Sequence, residues 1–179
     1  MDTNMLGNKF FRSFLIGLCL YSGILMACGY RLAGSGRLPN GIRRVFVAEP
    51  VNRTSDARLI SVLSNYLKSE LTSRQVRLSN TPNGADGILT SEIVSISDAT
   101  IARRGETTAL EKRLIIRMDV KLETPDGQTL WVGKKISANE AYTVINGNDI
   151  ATDNNRRIAI DELSKRLAED IYQRLTADF

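Results

Sequence analysis

A thiol is the most reactive side chain in this chain of 179 residues, and it occurs twice, at Cys19 and Cys28. Cys19 lies inside an apolar run. Cys28 follows that run directly, between Ala27 and Gly29. A thiolate is a nucleophile, and with Cys19 enclosed in the leader, Cys28 has no protein thiol to pair with. The sequence holds no histidine, which removes the commonest metal ligand and the commonest general acid–base group. Ser/His/Asp and Cys/His sets are therefore excluded. No metal-ligand spacing appears, and no cofactor is expected. "GSGRLPNG" (34–41) contains G-x-G, but no strand precedes it and no helix follows at once, so it is a poor dinucleotide loop. Glu92 and Asp98 can lie on one strand face, where solvation accounts for them. The residues argue against an enzyme. More informative are two arginine pairs, Arg103/Arg104 and Arg156/Arg157. Guanidinium forks suit phosphate and carboxylate partners, although composition alone favours reading these arginines as solvated surface charge.

The segment before Cys28 has the layout of an export signal. Lys9 and Arg12 are followed by uncharged, mostly apolar "SFLIGLCLYSGILMA" (13–27). That run is shorter than the roughly 20 residues needed to span a bilayer and fits a signal-peptide core. Leu25-Met26-Ala27-Cys28 resembles the lipobox of bacterial lipoproteins, whose cysteine receives a diacylglyceryl group. Met26 departs from the smaller residue usual at its position; Leu25 and Ala27 fit. Gly29, in place of Asp, resembles an outer-membrane address. The expected organisation is a signal peptide over 1–27, a lipidated Cys28 with an extended tether over 28–41, and a single domain over 42–179. With 42 % hydrophobic and 25 % charged residues, composition is globular. The net charge of +4 is too weak an excess to argue for nucleic acid.

The elements that must position these groups follow from periodicity. "IRRVFVA" (42–48) predicts a short strand. Leu59, Leu63, Tyr66, Leu67 and Leu71 recur at helical spacing and predict a helix over 53–74, capped by Thr54 or Ser55, with Asp56 at its positive end. A short strand is expected near "VRLS" and a loop over 80–87. Two long strands follow. Residues 88–102 are β-rich but alternate poorly. Residues 110–123 alternate clearly, with Leu110, Leu114, Ile116, Met118, Val120 and Leu122 on one face and charged residues on the other. "RRGET" predicts a tight connection between them. "TPDGQ" turns the chain into a returning strand over 129–144. A polar loop over 145–154 precedes a last helix over 154–176 with Asp153 as N-cap and a stripe of Ile160, Leu163, Leu167, Ile171 and Leu175.

These elements assemble most simply as an α+β fold, a two-layer sandwich with two helices on one face of a mainly antiparallel, four- to five-stranded sheet. In such a meander the "RRGE" turn and the start of the last helix share one sheet end. Arg103, Arg104, a helix N-terminus and Arg156/Arg157 are expected to converge there, an arrangement that favours phosphate.

The lipobox with "CGYRL", the tether, strand and helix, then "EIVSISDATIARRGETTALEKRLIIRMDVKLETPDGQTLW" and a final amphipathic helix resemble the lipopolysaccharide-assembly lipoprotein family LptE over the whole mature chain. The resemblance implies a periplasm-facing outer-membrane lipoprotein that plugs the LptD β-barrel, helps assemble it, and assists lipopolysaccharide delivery to the outer leaflet. It also implies lipopolysaccharide binding through basic residues at one sheet end. Arg103 matches one such position. A basic residue before the last helix is replaced here by Thr152, and Arg156 or Arg157 could substitute. The alternative is a scaffold lipoprotein of another envelope complex that binds no lipopolysaccharide.

Overall fold

The computed structural model describes residue 38 and residues 41–103 and 110–177, the side chains of 102 and 103 excepted. Cys28, Arg104 and the rest of the "RRGET" connection lie outside the described residues. Strand β1 (Arg44–Val47) leads through a two-residue strand β2 (Val51–Asn52) to helix α1 (Arg58–Ser73). Strand β3 (Arg77–Leu78), a 3-10 turn (Pro82–Gly84), and strands β4 (Gly87–Arg103), β5 (Leu110–Glu123) and β6 (Thr129–Val144) follow, before helix α2 (Asp149–Ala177).

The sheet order is β3-β1-β4-β5-β6, with β2 beside β4. β4, β5 and β6 form an antiparallel meander, while β1 runs parallel to both β3 and β4. That parallel corner requires a crossover, which α1 supplies. β2 is the strand that sequence periodicity does not reveal. It continues the β1 edge along β4 after Pro50, whose missing N–H interrupts the ladder.

Both helices cover one face of the sheet. α1 buries Leu59, Leu63, Leu67 and Leu71, and α2 buries Ile160, Leu163, Leu167, Ile171 and Leu175. The sheet answers with Val45, Val47, Leu89, Ile93, Leu114, Ile116, Met118, Val120, Leu122 and Ile136. Burial of this apolar surface supplies the main driving force for folding.

Element ends differ from expectation for identifiable reasons. α1 begins at Arg58, not at 53, because Asn52 Oδ1 accepts from the N–H and hydroxyl of Thr54 and holds an Asx turn. Neither Thr54 nor Ser55 caps the helix. The Asp56 carboxylate takes the N–H of Arg58, at 3.2 Å. α2 begins five residues earlier than the apolar stripe suggests. Asn148 Oδ1 accepts the N–H of Ala151 at 3.0 Å, so Asn148 is the cap and Asp153 lies inside the helix. The first turns bury no apolar side chain, so they carry no periodic signal.

Poor alternation in β4 has a geometric cause. Its register with β5 slips between Ile93 and Ser95 and again between Thr100 and Ala102. Val94 and Ile101 are the extra residues of two β-bulges, and each reverses which side chains face the helices. Glu92 therefore points outward, and Asp98 points inward toward Tyr142; the two carboxylates do not share a face.

Candidate functional site

The end of the sheet where β4 meets β5 carries the row Arg103–Leu110–Val144. The Arg103 backbone pairs with Leu110. α2 begins at this same end. The Ile145 N–H donates to Thr152 Oγ1 at 2.9 Å, and the Asn155 side-chain amide donates to the Thr143 carbonyl at 2.8 Å, which locks the helix start onto β6. Thr152 thus lies in the second turn of α2 and serves as a brace. Arg157 is half-exposed and holds Asp153 and Asn154. Asp149 and Asp153 put carboxylates around the helix N-terminus, which offsets part of its attraction for an anion. Three isoleucines that the sequence reading did not single out are exposed here: Ile101, Ile145 and, at 79 %, Ile150. The end therefore combines charged and apolar surface. A long polar-flanked isoleucine before the helical stripe was the available signal for Ile150.

Arg156 has a different environment. Its Nη1 donates to Asp56 Oδ2 at 2.8 Å, and its Nε lies 3.8 Å from Asp98 Oδ2. Asp98 also accepts the Tyr142 hydroxyl at 2.8 Å. Arg58 joins the network by contacting both Asp56 and Asp153. Four elements are tied together: the approach to α1, β4, β6 and α2. Burial pushes the Asp56 carboxyl up, but hydrogen bonds from Arg58 and Arg156 and the Arg58 charge outweigh it and hold the group below its ordinary value. Burial, and then the bond to Asp98, pushes the Tyr142 phenol up to about 12. The tyrosine stays a donor at any physiological pH. The structure thus separates three of the four arginines of the sequence reading, the fourth, Arg104, lying outside the described residues. Arg103 and Arg157 lie toward the exposed end, and Arg156 is turned into the protein.

The sheet face away from the helices has no covering layer among the described residues. Its centre is Arg113–Ile115–Arg117 on β5. Across from these lie Ala99, Ser97 and Ser95 on β4, and Ala141, Asn139 and Ser137 on β6. Small neighbours leave two exposed arginines whose Cα atoms are about 13 Å apart along the strand. Neither has an ion-pair partner among the described residues. Toward the other sheet end, Lys121 pairs with Glu123, and Lys134 with Asp119. Asp119 also accepts the N–H of Lys135, whose φ of 55° marks a bulge in β6.

Among the described residues, no group of three or more His, Cys, Asp or Glu side chains could hold a metal, and no helix is long and apolar enough to cross a membrane. Residues 42–175 match the family model described as LptE, lipopolysaccharide-assembly. Comparison with curated proteins finds no significant sequence match. Among solved structures, the fold resembles that of an uncharacterized lipoprotein B from Nitrosomonas europaea, with TM-score 0.55 and 16 % identity, covering 84 % of this chain and 92 % of that one. It also resembles the rare lipoprotein B from Shewanella oneidensis, with TM-score 0.52 and 14 % identity, covering 75 % of this chain and 95 % of that one. At such identities the likeness concerns the fold.

Proposed function

The chain belongs to the lipopolysaccharide-assembly family LptE, and from that premise we propose that it plugs an LptD-type outer-membrane β-barrel, helps assemble it, and assists delivery of lipopolysaccharide to the outer leaflet. Family membership makes it an outer-membrane lipoprotein, lipid-anchored and facing the periplasm. The proposed organisation is a signal peptide over 1–27, acylation of Cys28, a tether to residue 41, and the sandwich as the working part. It acts by binding and requires no catalysis.

The observation that carries the reading is the uncovered sheet face with Arg113 and Arg117. A charged, uncovered face on a lipoprotein domain suits the polar interior of a large barrel. Lipopolysaccharide recognition is assigned to the Arg103 end. Lipid A and the inner core carry anionic groups, commonly phosphates, and fixed cations match them. Arg103 and Arg104 are the proposed contacts, with Arg157 beside them. Arg156, held by Asp56 and Asp98, contributes by fixing the start of α2.

Replacing Arg103 and Arg104 together by Asp is expected to weaken lipopolysaccharide binding at least about tenfold, or about 1.4 kcal/mol, with the fold intact. Raised salt should weaken wild-type binding in the same direction. The control is Lys121→Asp with Arg53→Asp, one half-buried and one exposed position away from the Arg103 end. Equal binding by wild type and both double variants would sink the assignment. Equal loss in both would leave only diffuse charge. Absence of lipopolysaccharide binding, with no barrel recovered alongside the protein, would point to a scaffold lipoprotein of another complex.

A further inference from the structure

From Cys28 to Ala48 the chain carries Arg31, Arg37, Arg43 and Arg44 and no carboxylate. The last two open the sheet at the end opposite Arg103. Arg44 stands level with Arg77 across the parallel β1–β3 pair, and the Arg77 N–H donates to the Arg43 carbonyl at 3.1 Å. All three side chains are exposed, and so is Leu78 beside them. One carboxylate, Asp86, meets Arg43 and Arg44. Asp86 accepts the N–H groups of Arg43 at 3.1 Å and Arg44 at 2.9 Å, and it lies 3.5 Å from the Arg44 guanidinium. Those two main-chain bonds, ahead of the Arg44 charge, hold it below its ordinary value, so it stays ionised as a fixed part of the corner. Arg43 and Arg77 have no ion-pair partner among the described residues. Leu38, buried at 3 % exposure, belongs to the core. Cys28 is ten residues upstream, so an anchor there is never more than about 35 Å away.

We propose that this corner, Arg43, Arg44 and Arg77 with Leu78, lies against the phospholipid headgroups of the leaflet that holds the anchor and binds the phosphodiesters of anionic lipids. Guanidinium forks match phosphate oxygens, and neither Arg43 nor Arg77 has an ion-pair partner among the described residues. An acyl chain and a basic surface are complementary attachments: the first supplies residence and the second supplies orientation. Tethering confines the corner near the surface, so weak individual contacts suffice. β4 is 17 residues long, up to about 55 Å of strand. Contact at this corner therefore points the Arg103 end away from the leaflet. The placement rests on Cys28 being the anchor; the headgroup chemistry does not.

The test uses the full chain purified from membranes and reconstituted in phosphatidylcholine vesicles containing about one fifth phosphatidylglycerol. A trace of photoreactive phosphatidylglycerol or photoreactive phosphatidylcholine is included, and adducts are mapped by mass spectrometry. The glycerol probe is expected to label peptides covering 43–47 and 77–79 at least about threefold more than the choline probe. That preference should vanish in Arg43→Glu/Arg77→Glu, in the milder Arg43→Gln/Arg77→Gln, and at about 0.5 M salt. It should survive in Arg113→Glu/Arg117→Glu. Equal labelling by both probes on an acylated protein overturns the proposal. Intact mass reads the anchor separately. An unacylated chain that still floats with phosphatidylglycerol vesicles, and loses this in the Arg43/Arg77 variants, would remove the anchor and keep the corner.

Discussion

Arg156 and Arg157 are neighbours in sequence and differ in what their guanidinium groups meet. Arg156 is 21 % exposed between Asp56 and Asp98, whereas Arg157 is 53 % exposed and holds residues of its own helix. Arg156→Gln is expected to lower stability by about 1–2 kcal/mol, because it strips partners from two carboxylates. Arg157→Gln should change it by less than about 0.5 kcal/mol. Urea midpoints would show the difference, and equal midpoints would refute the network. Asp56 extends the argument to pH. Its folded-state value lies below the ordinary 3.8, so its contribution is present above that pH and is lost as pH falls through the lower folded value. Asp56→Asn should flatten the loss of stability below about pH 4. Asp86 and Asp119 are also held low, by main-chain N–H groups first, so part of the slope remains. An unchanged slope in Asp56→Asn would mean the carboxylate contributes nothing.

At the scale of elements, β4 and β6 are long strands shaped by inserted residues. β4 takes Val94 and Ile101 as bulges, and β6 bends where Asp119 faces both Lys134 and Lys135. Gly133 sits on the inward face of β6 just before that bend. A Cβ there would collide with the Trp131 ring and come within 2.7 Å of Ile136 Cδ1. Gly133→Val is expected to cost about 1–3 kcal/mol through overpacking, read as a lower thermal midpoint. α2 offers the opposite case. The Ser164 hydroxyl is fully buried without a hydrogen-bond partner. Ser164→Ala should be neutral or raise stability by up to about 1 kcal/mol. Clear destabilisation would show that the hydroxyl is satisfied in solution.

At the scale of the whole molecule, anchoring and barrel contact are proposed for different parts of the chain. Cleavage before Cys28 and acylation there predict an intact mass that starts at Cys28 and carries acyl chains. Cys28→Ala should leave a folded domain that is unprocessed or released from the membrane. A mature mass beginning elsewhere, or lacking lipid, would end this reading. The uncovered face predicts a second separation. Arg113→Glu with Arg117→Glu should reduce recovery of a large β-barrel from mild-detergent extracts, while acylation and thermal midpoint stay as in the wild type. Undiminished recovery would place the barrel contact on another surface.

The amphipathic stripes of α1 and α2 and the alternation of β5 were legible because each repeats with the period of its own backbone and meets a single apolar layer. From these stripes and turns the two-layer sandwich follows, and the order of the motifs carries the family. The start of α2 was not legible, since its first turns bury nothing. Nor was the phase of β4, since a bulge inserts a residue without marking it. The role of Arg156 was equally hidden. Asp56 is 100 residues away along the chain, and no local pattern connects them. Charge in a sequence reports that an arginine exists; only the packing of α2 over β4 and β6 decides that this one is spent inside the protein while Arg43, Arg77, Arg113 and Arg117 remain on the surface.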